Sequence, residues 1–430
     1  MCGINVSPNP TEVLEMCNKT SHRGEKITIK EHRGIGMGHN RLAIQGLDPK
    51  YDCPFEIEDK FYLFNGEIFN YKELDPEAKS DVELLNRTDV YNFDGDYAIV
   101  SIDKKTEQID IKTDSYGKRQ LYYREDTPQK ISSEIKALIE PGDRLDYYYL
   151  STVGKFGYYS RGDLTPIEGI KKSINHSDLS VPIEDSRTNE FKDLKDLLEL
   201  STKRRLVSDV PIAMLYSGGL DSSIVLYHLK QLNAKIEVFT LENEDDEKYA
   251  EKYAKELGIK INFLEQKNED WEKIQRYNEL AADLGSFIPN YLLFKAVREK
   301  GYKVCLTADG ADEIFSGYRR NYDFDFQQND IFNELMCYHF PRLDQIAMAN
   351  SIEYRSPFTA DYIIDYALKV PYEKRINKRI LRETYRGILP DYIVNREKVP
   401  LKSKEIRENK EKERLKLIKF YEKNFKQNQK

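Results

Sequence analysis

The sequence predicts a two-domain protein: an antiparallel α+β domain, then an α/β domain with a doubly wound parallel sheet and a helical C-terminal part. The chain has 430 residues, more than one typical domain of about 150 residues. Its first part contains short β segments separated by turn residues, whereas its second part alternates strand and helix patterns. Pro141-Gly142 interrupts the first pattern, so we place the domains at 2–140 and 191–430, with a connector at 141–190.

The first domain is predicted to contain several short strands and few helices. Segment 108–112 is expected to pair with 120–124 across the turn between them, and Ser80 is a candidate helix N-cap. The predicted elements are strands at 41–44, 61–64, 97–102, 108–112 and 120–124, and helices at 10–17 and 80–87.

In the second domain, strands and helices follow each other at the spacing of a parallel sheet with helices on both faces. The segment 325–430 is expected to be mostly helical. The predicted elements are strands at 212–216, 235–241, 260–264 and 303–306, and helices at 191–206, 223–232, 246–257 and 291–299.

Composition excludes several classes of protein. The 67 Lys and Arg against 74 Asp and Glu give a net charge of −7, which disfavours general binding to nucleic acid. No apolar run approaches the roughly 18 residues that cross a bilayer, and the N-terminus lacks an export signal. The five cysteines are irregularly spaced without a CxxC pair, so neither a disulfide framework nor a zinc site is expected. We therefore predict a cytoplasmic location.

A glycine- and serine-rich loop is the sharpest motif. Ser217, Gly218 and Gly219 follow an apolar strand, and Asp221 and Ser222 open the next helix. Backbone N–H groups, hydroxyls and a helix N-terminus at this place favour an anion such as a phosphate. Asp221 would repel a bare phosphate, so we interpret it as a ligand of a bridging Mg²⁺. The loop lacks the lysine of GxxxxGK[ST] loops, which disfavours γ-phosphate transfer.

A second acidic turn follows another strand, at 306–313. In a doubly wound sheet both loops would lie at the carboxyl ends of strands, where ligands bind. Asp312 could then share the metal with Asp221, while Asp309 or Glu313 could serve as a base or orient one.

The other sharp feature is Cys2. If Met1 is removed, Cys2 carries both a nucleophilic thiol and an α-amine whose pKa near 8 lets it accept the thiol proton. An amide side chain and a glycine N–H could form an oxyanion hole, an arginine could bind a carboxylate, and two acidic side chains could hold an ammonium group. Together they suit glutamine, and they are Asn65, Gly66, Arg41, Asp81 and Glu67.

These motifs resemble the glutamine-dependent asparagine synthetases, which join a class II glutamine amidotransferase domain of N-terminal nucleophile type to an ATP pyrophosphatase-type domain. The resemblance covers most of the chain. The segments that carry it are 2–4, 22–24, 41–44, 64–70, 80–83, 133–138, 217–223, 306–313, 351–358 and 396–398.

The resemblance implies the roles of individual residues. It implies that Cys2 is the glutaminase nucleophile, that Asn65 and Gly66 form the oxyanion hole, and that Lys398 stabilises the phosphates. Glutamine would also be bound by Arg41, Glu67 and Asp81. The metal would be held by Asp221 and Asp312, with Asp309 nearby in a catalytic role. Besides the loop residues Ser217, Gly218, Gly219 and Ser222, the nucleotide would contact Leu215, Leu241, Thr307 and Ala308.

The activity so implied is ATP-driven amidation of aspartate to asparagine through an acyl-adenylate, releasing AMP, pyrophosphate and glutamate. ATP and Mg²⁺ would be required, and ammonia would pass through an internal tunnel. The expected partners are these small molecules and a second copy of the chain in a homodimer, with neither nucleic acid nor a membrane.

Departures from the family pattern leave alternatives open. Glu25 replaces a proline, a Thr-Ala pair precedes the acidic turn, and 281–289 lacks the Thr- and Arg-containing segment associated with aspartate recognition. The same chemistry on another carboxylate, such as a sugar, peptide or metabolite, is therefore an alternative. Ring closure like that of β-lactam synthetases and a non-enzymatic binding protein are less favoured, because the polar groups of both sites are present.

Overall fold

The computed structural model describes residues 1–87, 89–159, 162–173, 193–242, 244–265, 270–282, 287–318, 333–397 and 410–428. Its strands are β1 Gly3–Ser7, β2 Lys26–His32, β3 Ile35–Arg41, β4 Phe55–Ile57, β5 Lys60–Ile68, β6 Gly95–Asp103, β7 Ile109–Thr113, β8 Tyr122–Arg124, β9 Ile131–Ser132, β10 Ile170–Lys172, β11 Ile212–Leu215, β12 Glu237–Leu241, β13 Ile261–Leu264, β14 Val304–Leu306 and β15 Glu353–Arg355.

The α-helices are α1 Val13–Lys19, α2 Tyr71–Leu74, α3 Tyr147–Phe156, α4 Leu194–Arg204, α5 Leu220–Gln231, α6 Glu244–Leu257, α7 Trp271–Gln275, α8 Phe287–Glu299, α9 Ala311–Ile314, α10 Phe340–Met348, α11 Asp361–Lys369, α12 Tyr372–Arg375, α13 Arg379–Thr384, α14 Asp391–Val394 and α15 Lys410–Asn428. A π-helical turn, Leu335–His339, leads into α10. In the part of the chain that the structure describes, no helix combines the length and the hydropathy needed to span a bilayer.

The N-terminal part contains two antiparallel sheets, as the sequence predicts. One has the strand order β10-β8-β9-β1-β3-β2 and the other β4-β5-β6-β7. Ile4 and Met37 from the first sheet and Leu63 and Val100 from the second belong to one buried apolar cluster. The two sheets therefore share a core, and strands β1, β3 and β5 lie beside it.

Several predicted elements of this part are wrong in position or pairing. The segment 41–44 is not a strand, because β3 ends at Arg41. The segments 108–112 and 120–124 do not pair, since β7 pairs with β6 and β8 pairs with β9 and β10. The helix predicted at 80–87 is a short 3₁₀ turn, Asp81–Leu84, which Ser80 precedes without a capping hydrogen bond from its side chain.

The second part contains a parallel sheet with the strand order β13-β12-β11-β14-β15, and each adjacent pair of strands is parallel. Strands β12 and β13 lie on one side of β11 and β14 on the other. This reversal of strand order creates a crevice at the carboxyl ends of β11 and β14, the usual position of a ligand site in such sheets. The sequence indicates the first four strands, whereas β15 was not predicted.

The two parts contact each other through buried charged groups as well as apolar side chains. Arg23 donates to Asp344 over 2.9 Å, and Lys118 donates to Asp361 over 2.9 Å. At the edge of this contact, Glu25 bonds to Lys303 over 2.6 Å. Glu25, at the position where the resemblance implies a proline, therefore forms an ion pair between the two parts of the chain.

Two candidate active sites

Cys2 lies one residue before β1, and its main chain is fixed from two sides. Its N–H donates to Oδ1 of Asn65 over 2.8 Å, and its carbonyl accepts from Nε of Arg23 over 2.9 Å. Asn65, on β5, is fully buried, and its Nδ2 has no hydrogen-bond partner among the described residues. A buried donor without an acceptor can stabilise an oxyanion that forms on a substrate of Cys2.

The residue after Asn65 must be a glycine. Gly66 has a φ of +136°, and a Cβ placed on it would lie 2.7 Å from Cα of Tyr97 and collide with the carbonyl of Asp96 on the neighbouring strand β6. Because β5 and β6 approach so closely here, any side chain at this position would push β6 away from β5, the strand that carries Asn65.

His39 is a residue near Cys2 whose role the sequence analysis missed. It lies on β3 opposite Ile4, with Nε2 2.9 Å from the carbonyl of Phe64. Burial opposes ionisation of the Cys2 thiol. The charge of His39, its hydrogen bond to the thiol and the charge of the Met1 amine nevertheless lower the pKa of the thiol to about 7. A pKa near neutrality gives Cys2 a substantial thiolate fraction in the cell. Only the pairing of β1 with β3 brings His39 close to Cys2, and local sequence patterns do not indicate which strands pair.

Three buried carboxylates interact with one another close to the N-terminus, and one of them binds an ammonium group. The amine of Met1 bonds to Oε2 of Glu353 over 3.0 Å, with both groups buried. Burial raises the pKa of Glu67, and repulsion by Glu353 and Asp81 adds to the rise. Burial likewise raises the pKa of Asp81 to about 6, although the N–H of Ile68 donates to its carboxylate. This cluster can stabilise the ammonium group of an amino acid.

Arg41 lies in the same region but is already bonded to its own loop. Its guanidinium contacts the carboxylate of Asp52 and the carbonyl of Gly46, and lies 3.3 Å from the carbonyl of Gln45. Gln45 in turn donates from Nε2 to Glu67. In this structure Arg41 fixes the loop beside the carboxylates, and its role in binding a substrate carboxylate stays a prediction.

The glycine- and serine-rich loop connects β11 to α5. The Oγ atoms of Ser217 and Ser222 lie 3.1 Å apart, and the N–H of Gly219 is 3.4 Å from Ser217 Oγ. Helix α5 begins at Leu220 and is 12 residues long. The helix N-terminus and these polar groups therefore point toward the end of the sheet, where they favour an anion.

A cavity of about 230 Å³ lies at the crevice between β11 and β14. It brings together the loop after β11 and the acidic turn after β14. The sequence-predicted residues that line it are Leu215, Ser217, Gly219, Asp221, Ser222, Leu241, Thr307, Ala308, Asp309, Asp312 and Glu313.

Two other predicted nucleotide-site residues have different positions. Gly218 is not among the cavity-lining residues: a Cβ on it would lie 2.7 Å from the backbone nitrogen of Ala250, and its carbonyl accepts from Arg396 over 2.8 Å. Lys398 lies outside the described residues, although Glu397 beside it in sequence lines the cavity. Gly218 thus allows α6 to approach the loop, and Arg396 connects the loop to the segment after α14.

The carboxylates of Asp221 and Asp312 converge on a single point, which the Nζ atom of Lys378 occupies. Oδ1 of Asp221 is buried without a hydrogen-bond partner among the described residues. Mg²⁺ is commonly held by one or two carboxylates together with substrate phosphates, so this pair fits the ion. Within the described ranges, no group of three or more His, Cys, Asp or Glu side chains could hold a metal ion. Phosphate and water would supply the other ligands.

A pocket beside Cys2 on antiparallel sheets and an anion loop on a parallel sheet are the arrangement of a two-domain amidotransferase. Family comparison agrees, since a model described as "Glutamine amidotransferase domain" matches residues 1–188. The model described as "Asparagine synthase" matches 193–336 and 325–427. The chain belongs to the asparagine synthase family, and carries a glutamine amidotransferase domain followed by the synthetase domain.

Relatives are similar over most of their length. The chain is 27% identical to asparagine synthetase (glutamine-hydrolyzing) 1 of Arabidopsis thaliana, over 92% of this chain and 76% of that protein. It is 26% identical to asparagine synthetase (glutamine-hydrolyzing) of Homo sapiens, over 93% of this chain and 83% of that protein. It is also 27% identical to asparagine synthetase (glutamine-hydrolyzing) of Triphysaria versicolor, over 92% of this chain and 75% of that protein. These relatives support glutamine-dependent amidation and leave the acceptor to be determined.

Proposed function

We propose that this protein is a ligase that hydrolyses glutamine and uses the released ammonia to amidate a carboxylate, which ATP activates as an acyl-adenylate. The acceptor we propose is aspartate, which gives asparagine. The observation that carries the proposal is the presence, in one chain, of a thiol with a pKa of about 7 beside a buried amide donor and an anion loop beside paired carboxylates.

In the first reaction, the Cys2 thiolate attacks the side-chain amide carbon of glutamine. Nδ2 of Asn65 donates to the oxyanion, and Glu67 and Asp81 hold the substrate ammonium group. The C–N bond breaks as the leaving nitrogen takes a proton, and ammonia departs. Water then hydrolyses the thioester to glutamate. Removal of Met1 would free the Cys2 amine to carry these protons.

In the second reaction, an acceptor carboxylate oxygen attacks the α-phosphorus of the co-substrate ATP, and pyrophosphate leaves. The hydroxyls of Ser217 and Ser222 and the N-terminus of α5 stabilise the departing charge. Mg²⁺, held by Asp221 and Asp312, would neutralise phosphate charge. Ammonia then attacks the acyl carbon and loses a proton, which a base such as Asp309 would accept. The bond from the acyl carbon to the AMP phosphate oxygen breaks, so that AMP leaves and the amide forms.

The two sites are connected through β15. Nη2 of Arg355 lies 3.8 Å from Oε1 of Glu67 in the first site, and the Arg355 carbonyl accepts from the N–H of Thr307 in the second over 2.9 Å. Ammonia that crosses the contact beside β15 would reach the cavity without passing through bulk water, which protects the acyl-adenylate from hydrolysis.

Two further charged residues that line the cavity support an amino-acid acceptor. Arg342 lines it, and so does Glu313, whose carboxylate accepts from Tyr318 over 2.6 Å and lies 3.2 Å from Nδ1 of His339. A cation and an anion in one cavity suit a molecule that carries both a carboxylate and an ammonium group.

Product identification tests this proposal. With ATP, Mg²⁺ and amide-¹⁵N glutamine, aspartate should yield ¹⁵N-asparagine with equal amounts of AMP and pyrophosphate. A panel of other acids, including sugar acids and peptides, serves as the comparison. Labelled amide on another acid would replace aspartate as acceptor. ADP with phosphate would overturn the acyl-adenylate, and intact-mass measurement would show whether active protein retains Met1.

A further inference from the structure

Lys378 occupies the point on which two carboxylates of the second site converge. Its Nζ contacts Oδ2 of Asp221 and lies 2.5 Å from Oδ1 of Asp312. The Lys378 side chain is only 4% exposed, and it lines the cavity that also contains Ser217 and Ser222. It comes from a segment far along the chain, and neither the glycine- and serine-rich loop nor the acidic turn contains it.

The backbone holds Lys378 in this position at a conformational cost. Asn377 and Lys378 have φ values of 53° and 55°, and Ser316 on the facing segment has a φ of 51°. The N–H of Asn377 donates to Ser316 over 3.0 Å, and that of Lys378 donates to Phe315 over 3.1 Å. Left-handed conformations of residues other than glycine are strained, and such strain is concentrated at functional sites.

A glycine provides room for this contact. A Cβ on Gly317 would collide with both Oδ1 of Asp312 and Cε of Lys378. The segment after α9 and the segment before α13 are therefore shaped so that an ammonium group and two carboxylates meet in a buried place.

The ammonium group and a metal ion would compete for the same oxygens. Two buried carboxylates repel each other unless a cation lies between them. Mg²⁺ requires oxygen ligands at about 2.0–2.1 Å in an octahedron, which an ammonium group on the same oxygens prevents. Any metal that uses both carboxylates must displace Lys378, whose charge then needs a new partner within reach of its side chain.

We propose that Lys378 is a resident counter-cation of the nucleotide site. It holds Asp221 and Asp312 together before the nucleotide arrives, and it transfers to phosphate oxygens when the metal-bound nucleotide enters. This inference rests on the proposed function for the identity of the nucleotide. It makes Lys378 a positioning residue for the two carboxylates and a phosphate-binding residue afterwards.

The test is to measure binding without turnover, using Mn²⁺ as a spectroscopic probe for Mg²⁺. Lys378→Met removes the charge and keeps the length, Lys378→Arg keeps the charge, and Lys374→Met is the control on the exposed side of α12. By electron paramagnetic resonance, Lys378→Met should bind Mn²⁺ alone about 10-fold more tightly than wild type. It should bind inorganic pyrophosphate with Mg²⁺ about 10- to 100-fold more weakly. The arginine variant should retain weak Mn²⁺ binding, and Lys374→Met should match wild type.

Unchanged or weaker Mn²⁺ binding by a folded Lys378→Met protein would overturn the proposal. Wild type gives a second test if that variant does not fold. Tight Mn²⁺ binding by the wild type without nucleotide, lost in Asp221→Asn, would mean that Lys378 does not exclude the metal. These binding results do not depend on product formation, so a failure of the proposed amidation would be seen separately.

Discussion

The two candidate sites are built in different ways. The Cys2 site takes its nucleophile and oxyanion donor from the two antiparallel sheets, with Cys2 before β1 and His39 on β3 in one sheet and Asn65 on β5 in the other. The site at the parallel sheet takes its groups from loops and segments far apart in sequence, with Asp221, Asp312 and Lys378 meeting only in the folded chain. The packing of two antiparallel sheets thus defines the first site, whereas the chain topology around the parallel sheet defines the second. Substitutions should separate the two reactions accordingly.

Cys2→Ala should have the largest effect. Glutamine-dependent amide formation should fall by roughly 10⁴-fold or more, because the nucleophile is lost. Formation from added ammonium salt should persist, since the parallel-sheet site is unaltered. Both rates are measured by product quantification, with Cys17→Ala, a buried thiol outside both sites, as the control. Loss of the ammonia-dependent rate as well would contradict the separation.

Asp221→Asn should produce the reverse pattern. AMP formation should fall by about 10²- to 10³-fold, because the amide no longer supplies the negative charge that favours the metal. Hydrolysis of glutamine to glutamate should stay within a few fold of wild type. Asp110→Asn, at a half-buried position on β7 in the other domain, should alter neither rate. An equal loss of both reactions would indicate a structural role for Asp221 instead.

Gly66→Ala should destabilise the first domain by about 2–4 kcal/mol, because its Cβ would collide with β6. Gly142→Ala is the matched control: its φ of +96° is also positive, but nothing lies within 4 Å of a Cβ there. It should cost only about 1 kcal/mol of backbone strain. Urea unfolding followed by circular dichroism measures both, and equal losses would show that the β5–β6 contact is not the cause.

His39→Gln should shift the ionisation of Cys2. In wild type the thiolate forms as the pH rises through about 7, so alkylation by iodoacetamide should accelerate across that range. Without the histidine charge the midpoint should rise toward 9, which slows alkylation at pH 7 by some tens of fold. Burial raises the pKa of Cys17 to about 11 and of Cys53 to about 12, so these thiols contribute little. His32→Gln is the control and should leave the pH midpoint of alkylation unchanged. The same unchanged midpoint in His39→Gln would show that His39 does not lower the pKa of Cys2.

Glu25→Gln should have the smallest effect. Although partial burial opposes it, ion pairs with Lys303 and Arg298 lower the pKa of Glu25 in the folded protein. The stabilisation is therefore present above the unfolded pKa of about 4.3 and is lost as the pH falls through the folded value. Since these groups are partly exposed, the change in unfolding free energy at pH 7 should be below about 1 kcal/mol. A difference that persists at pH 2 would exclude this ion pair as its source.

Local patterns in the sequence were sufficient for the parallel strands β11 to β14 and for the two loops at their ends. They were insufficient where strand pairing or contacts between distant residues determine the structure. Segments 108–112 and 120–124 look like a hairpin, yet each has a better partner in a different sheet. Strand β15 has three consecutive buried residues, so it lacks the alternation that marks a strand. Lys378 and His39 acquire their importance only from neighbours that the fold supplies.

The short strand β15 restricts how the two halves of the molecule can diverge. Its Glu353 bonds to the amine of Met1, while Arg355 lies near Glu67 and its carbonyl binds Thr307. An inherited change at either position would have to satisfy both reaction centres at once. Evolution toward a new acceptor is therefore easier at other residues that line the cavity, such as Glu313 and Arg342.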